Sequence, residues 1–440
     1  MPPPVTALCS GAVSSIAAGG ITMQRRQLVQ SIFASLATAS ILNTGLSQYA
    51  KGALSDTKIT RINVYNPTGT NGLSDWINLS EILVTIETDS GLTGTGQGGT
   101  KDLLEDIAGL LIGEDPFRIE YLWGKLYRNK FYPPGREKLH AMGALDCALW
   151  DLKAKALDVP LYELLGGLTR DHIECYQSFG TLNVRNARDS ARSVMDAGFR
   201  AVRFHGVDYN ESGTFNARQA VDETARVAEQ MRRGVGDDGD WILDAHTRFD
   251  LPDITRLCNL LEPLNPFFVE DPIRSITDAT QFARLRQQTS VPLAAGEQFG
   301  DIMDGIRPLV EANLVDWLRA SMPNVGGVTP FMQIAALCNA HHVGVVPHFT
   351  APLSTAAVSH CLFATSGPII NEMNRGNLPD YVNDSYRLED GKLWPNDRPG
   401  IGASFHEDQV NLISVIDAAR TEGLYQGEPY VRPDGSYIYL

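Results

Sequence analysis

Trp241-Ile-Leu-Asp244-Ala-His246, Phe267-Phe-Val-Glu270-Asp-Pro272 and Pro292-Leu-Ala-Ala-Gly-Glu297 are the segments on which the reading of this sequence turns. Each is a short apolar run that ends in an acid. The acids stand 26 and 27 residues apart, about one strand-plus-helix repeat in each case. If the runs are neighbouring parallel strands, Asp244, Glu270 and Glu297 converge on one rim at the strands' carboxyl ends. One acid at such a turn is more often the cap of the next helix. Three in register repel one another unless a cation neutralises them. Oxygen donors without cysteine suit Mg2+ better than zinc, with positions left for water and substrate.

Working outward, five further apolar runs have the same rhythm: Ile173–Gln177, Ala201–His205, Val315–Leu318, Val343–Pro347 and Pro368–Asn371. Amphipathic stretches separate them. Eight strand–helix units in this length point to an α/β fold, a (β/α)8 barrel of the TIM type, although a doubly wound open sheet shares the local pattern. The preceding segment reads differently. Ile59–Val64, Glu81–Glu87 and Gly91–Gly99 predict a three-stranded meander, followed by helical periodicity over Lys101–Ile112 and Leu139–Leu157. Residues 56–168 are therefore an α+β unit. Its glycine run is no dinucleotide fingerprint, because no helix and no correctly spaced acid follow it.

A formal net charge of −15 over 440 residues argues against a nucleic-acid surface, which needs clustered Lys and Arg. No run approaches the roughly 20 apolar residues of an integral membrane span. The six cysteines, Cys9, Cys147, Cys175, Cys258, Cys338 and Cys361, form no C-x-x-C pair and read as buried structural thiols. Arg25-Arg26 precede the apolar run Ile32–Leu42, with small residues at Ala50 and Ala53. Residues 1–55 are thus expected to be an export leader of the twin-arginine type that directs the protein to the periplasm, against the simpler reading of a disordered tail on a cytoplasmic protein.

These features together resemble the enolase superfamily, in its mandelate racemase-like branch. The resemblance extends to Ala144-Leu-Asp-Cys-Ala-Leu-Trp-Asp-Leu-Lys153, Phe268-Val-Glu-Asp-Pro272, Gly326-Gly-Val-Thr329 and Pro399-Gly-Ile-Gly402. It implies an N-terminal α+β capping domain (56–168) over a barrel (169–380), with 381–440 completing the cap. It also implies Asp244, Glu270 and Glu297 as Mg2+ ligands, and a homo-oligomer. The chemistry implied is removal of a proton next to a carboxylate, with the metal stabilising the enediolate charge.

Around that centre, the second strand reads Arg203-Phe-His205 where many relatives carry Lys-x-Lys. Arginine stays protonated, so Arg203 is expected to bind substrate, while His205 takes the place of the base and titrates in a useful range. Asp244-Ala-His246-Thr-Arg248 echoes the acid-sugar dehydratases, those resembling galactonate and mannonate dehydratases, where a histidine here assists departure of a hydroxyl or acts as base; Arg248 joins Arg203 as a substrate contact. His348, after Val346-Pro347, matches the base on the opposite side. The aspartate that orients that histidine in many relatives is replaced by Ser321, which weakens a racemase-type dyad. Glu372 matches a carboxylate that meets the substrate. Each of these histidines also has a structural reading as a hydrogen-bonded residue of the rim, and Glu372 as a turn cap. The expected activity is Mg2+-dependent dehydration of a small acid sugar, an aldonate or aldarate, to a 2-keto-3-deoxy acid. The alternatives are a racemase or epimerase of an α-substituted carboxylate, or an exported acid-sugar binding protein without turnover.

Overall fold

The computed structural model describes residues 54 and 56–438, except 68–80, 131–134, 207–212, 275–278, 301–304, 374–377 and 422–428. The expected leader, Leu54 apart, lies outside the described residues. Parts of two further segments, 65–76 and 206–214, also lie outside the described residues.

The first unit opens with β1 (Ile59–Pro67), β2 (Leu83–Thr88) and β3 (Thr93–Gln97), an antiparallel meander. Alternation in β1 buries Ile62 and Val64, and β2 buries Leu83, Val84 and Ile86 against the helix Arg136–Ala156 and its neighbours. The glycines of β3 are explained by that helix. A Cβ on Gly94 or Gly96 would come within 2.0 and 1.9 Å of the Ala148 and Ala144 carbonyl oxygens, so only glycine lets strand and helix approach this closely. The helix Ile119–Arg128 was not anticipated from periodicity.

The second unit is a ring of parallel strands: β4 (Ile173–Thr181), β5 (Ala201–His205), β6 (Asp240–Asp244), β7 (Phe268–Glu270), β8 (Leu293–Ala295), β9 (Trp317–Leu318), β10 (Gly344–Val345) and β11 (Asn371–Met373). Neighbours pair in sequence from β4 to β10, and β11 pairs back onto β4. The Val345–Ile369 bridge closes the gap. The fold is the expected (β/α)8 barrel with an α+β cap. Tyr176, Ala201, Ile242, Phe268, Ala294, Val346 and Ile370, none more than 2% exposed, fill its interior below the strand ends. This dry floor lowers the effective dielectric beneath any charge placed on it.

After the barrel come β12 (Val382–Asp384), β13 (Arg387–Glu389), β14 (Lys392–Trp394), β15 (Ser404–Phe405) and β16 (Val410–Asp417). The segment expected to complete the cap divides. β16 pairs with β1 and enters the cap sheet, whereas β14 pairs with β4 and extends the barrel strand. The five cysteines among the described residues are free and buried. None of the described helices is long and apolar enough to cross a membrane.

Candidate active site

Strand register assembles the mouth of the barrel. His205, Asp244 and Glu270 are successive Cα partners across β5, β6 and β7, so their side chains leave the sheet on one face and at one level. Glu297 follows Gly296, whose φ of 142° and approach to Arg319 exclude a side chain. Glu372 rises from the middle of β11.

Two guanidinium groups tie these acids together. Arg203 is held by the Ser178 hydroxyl (2.6 Å), by Glu372 Oε1 (2.8 Å) and by Glu270 Oε1, with Asp244 Oδ2 at 3.4 Å. Arg319 is wholly buried. Its Nε meets Glu270 Oε1 (2.6 Å) and Glu297 Oε2 (3.0 Å), its Nη1 donates to the Tyr176 hydroxyl (2.8 Å), and its Nη2 donates to Glu372 Oε2. Burial pushes the Glu270 carboxyl well above the usual carboxylate range, although both guanidinium groups on Oε1 pull the other way. For Glu297 burial is outweighed by His348 and Arg319, which hold it at about 2. Asp271 is likewise pushed well up, by burial and by Glu297, Glu270 and Asp244.

Four carboxyl groups, Asp244, Glu270, Glu297 and Glu372, face two buried guanidinium groups. Glu270 Oε2 is buried with no hydrogen-bond partner, which in a dry site is costly unless a cation or ligand meets it. Clustered carboxyl oxygens are the donor type that fits a hard divalent ion. Geometry adds a qualification: the donor group whose ligating atoms all lie within 4.8 Å of one another is, among the described residues, His205, Asp244 and His246. Arg319, rather than open space, bridges Glu270 and Glu297.

The three histidines divide between two flanks. His205 and His246 stack with centroids 5.0 Å apart, and His205 Nε2 is 3.2 Å from Asp244 Oδ2. His348 follows β10, four places round the ring from β6, with Nε2 3.7 Å from Glu297 and Nδ1 buried without a partner. Burial lowers the pKa of both His205 and His348, so both are neutral bases near neutral pH. Arg248 lies in the turn after β6, its amide donating to the Ala245 carbonyl, and its charge reaches His205.

Residues 186–409 match the family described as Enolase C-terminal domain-like, and residues 70–166 match the Mandelate racemase / muconate lactonizing enzyme, N-terminal domain. The chain belongs to the enolase superfamily. A D-galactonate dehydratase of Pectobacterium atrosepticum is 32% identical over 370 residues, 80% of this chain and 94% of that one. A D-galactonate dehydratase of Xanthomonas oryzae is likewise 32% identical, over 93% of its length. Among solved structures, an enolase from Pantoea ananatis with bound D-gluconate and Mg superimposes with a TM-score of 0.73 at 26% identity, covering 80% of this chain and 94% of that one. A member of the enolase superfamily from Salmonella Typhimurium shows the same fold, with a TM-score of 0.74 at 24% identity over 82% of this chain and 99% of that one. This enolase-superfamily chain is a hydro-lyase, and a binding protein without turnover has no support.

Within the superfamily fold, Arg319 is the site residue that sequence reasoning missed. Ser321, at the position expected for a histidine-orienting aspartate, is buried at the start of the helix Met322–Val325 with its hydroxyl unpartnered. A charged residue closing the apolar run Val315–Leu318 was the available signal. Arg203 and Glu372, expected at the substrate, are each bound to several other site residues and help to frame the pocket.

Proposed function

We propose that this protein dehydrates a sugar acid, an aldonate or aldarate, removing the α-proton and the 3-hydroxyl to give a 2-keto-3-deoxy acid. The observation that carries this reading is the opposition of a His205/His246 pair to His348 across the buried Asp244, Glu270 and Glu372 and the partly buried Glu297. The D-galactonate in the Pectobacterium protein's name and the D-gluconate bound to the Pantoea protein support the substrate class. Asp244, Glu270 and Glu297 would hold Mg2+, which when bound stabilises negative charge developing on the substrate carboxylate.

His205, its Nε2 3.2 Å from Asp244 Oδ2, accepts the α-proton. His246, stacked beside it, gives a proton to the departing 3-hydroxyl, so that water leaves. The resulting 2,3-enol takes a proton on C3 from the His348 side and loses its hydroxyl proton, completing the keto acid. Arg203 and Arg248 supply fixed positive charge toward the substrate. An epimerase would use His348 as a second base, but its Nδ1 has no carboxylate to orient it and Ser321 stands where that carboxylate would be.

Incubation with a panel of hexonates and hexarates, followed with semicarbazide for 2-keto acids, tests the proposal. A Mg2+-dependent signal with at least one acid is expected. No signal from any of them overturns it, and α-proton exchange with D2O without keto-acid formation would put epimerisation in its place. The leader carries a separate proposal of twin-arginine export, which predicts a mature N-terminus near Ala53 in the exported protein.

A further inference from the structure

We infer that His205, Asp244 and His246 form a binding site for a borderline divalent cation of the zinc, cobalt or nickel kind, which competes with the carboxylate site for Asp244. The ligating atoms of the three residues already lie within 4.8 Å of one another. Register explains the convergence: His205 and Asp244 are Cα partners on adjacent parallel strands, and His246 returns over Asp244 through a tight turn. In that turn His246 and Thr247 have φ of 50° and 60°, a left-handed backbone that non-glycine residues rarely adopt. The His246 amide donates to Asp244 Oδ1 (2.7 Å), while Oδ2 faces His205 Nε2 (3.2 Å).

Donor chemistry sets the class of ion. Two imidazoles and one carboxylate suit borderline metals, whereas Mg2+ prefers oxygen ligands and retained water. Asp244 is buried while both histidines are partly exposed, so the ion is reachable and keeps open positions for water. Arg203 is the opposing charge, 3.4 Å from both Asp244 Oδ2 and His205 Nε2. Its contacts with Glu270 and Glu372 offset that charge locally. If the dehydratase reading holds, an ion here takes both imidazoles and Asp244 out of the reaction, making the site inhibitory.

The test uses the full-length protein stripped of metal and titrated with Co2+ alone, read by visible ligand-field absorption and by hyperfine-shifted proton resonances. One equivalent is expected to bind, with two exchangeable imidazole N–H signals shifted. His246→Asn and His205→Asn are each expected to weaken binding at least about tenfold and to remove one signal, while Glu297→Gln leaves affinity within about twofold. Thermal melts of the metal-free variants separate misfolding from lost ligands. Absence of shifted imidazole signals in the wild type overturns the inference, as does binding that Glu297→Gln abolishes and both histidine variants keep. Neither outcome depends on whether a sugar acid is turned over.

Discussion

Buried acids occur in two regions of this molecule, and their surroundings differ. Asp146 and Asp151 lie on the helix Arg136–Ala156 and are as inaccessible as Asp244 and Glu270. Asp146 accepts from the Thr329 amide (2.9 Å) and hydroxyl (2.7 Å). Asp151 accepts from the amides of Thr95 (2.8 Å) and Ile401 (2.9 Å) and pairs with Lys155 (2.6 Å). These donors are mostly parts of the chain itself, so each acid joins the helix to the cap strand β3, to the barrel helix Val328–Ala340 or to the C-terminal segment. At the barrel mouth, Glu270 crowds two guanidinium groups on one oxygen and leaves the other with none. An acid satisfied by backbone belongs to the scaffold; an acid balanced only by side-chain cations, with an oxygen to spare, is held for a cation or a substrate.

The sharpest way to strain this contrast is His348→Asn, which removes an imidazole from the mouth without touching the scaffold. A loss of about 10³-fold in kcat is expected, with an unchanged thermal midpoint; steady-state kinetics and a melt on one preparation check it. Arg319→Gln comes next. Removing one partner of buried ion pairs costs about 3 kcal/mol, and because Mg2+ would resupply positive charge, added Mg2+ should raise the variant's midpoint more than the wild type's. A melt with and without Mg2+ that shows equal shifts would break the idea that Arg319 and a cation share the same carboxylates.

The smallest effect concerns Asp146, whose carboxyl is pushed by burial from 3.8 to about 7. The folded state then holds this proton more tightly than the unfolded state, so stability is greatest at low pH and falls as pH rises between about 4 and 7. Asp146→Asn should remove a pH-dependent difference on the order of 2 kcal/mol, roughly half of what the full shift allows. Denaturant titrations at both ends of that window, compared with wild type, measure it, and activity per folded molecule should not change.

Much of the fold was legible because strand length, alternation and turn residues are local. Ala201–His205 has the same limits in sequence and structure, and all eight barrel strands fall within or beside their expected runs. The last begins at Asn371 because Pro368–Ile370 is spent on the bridge to Val345 that closes the ring. The site was legible where one residue type recurs at one spacing, as with Asp244, Glu270 and Glu297. Arg319 was not, because its partners come from β7, from the turn after β8 and from β11, which no local pattern joins. Nor could spacing show that Gly94 and Gly96 are there for helix contact rather than for a turn.

The central claim is that the mouth carboxylates are held for the reaction while the seam carboxylates serve the fold. It is tested most directly by measuring Mg2+-dependent 2-keto acid formation and thermal midpoint together for wild type, Glu270→Gln and Asp146→Ala. The account predicts that Glu270→Gln loses at least about 10³-fold in kcat/KM yet remains folded, whereas Asp146→Ala loses about 2–3 kcal/mol of stability and keeps its activity per folded molecule. A Glu270→Gln enzyme that still forms keto acid at the wild-type rate would contradict it.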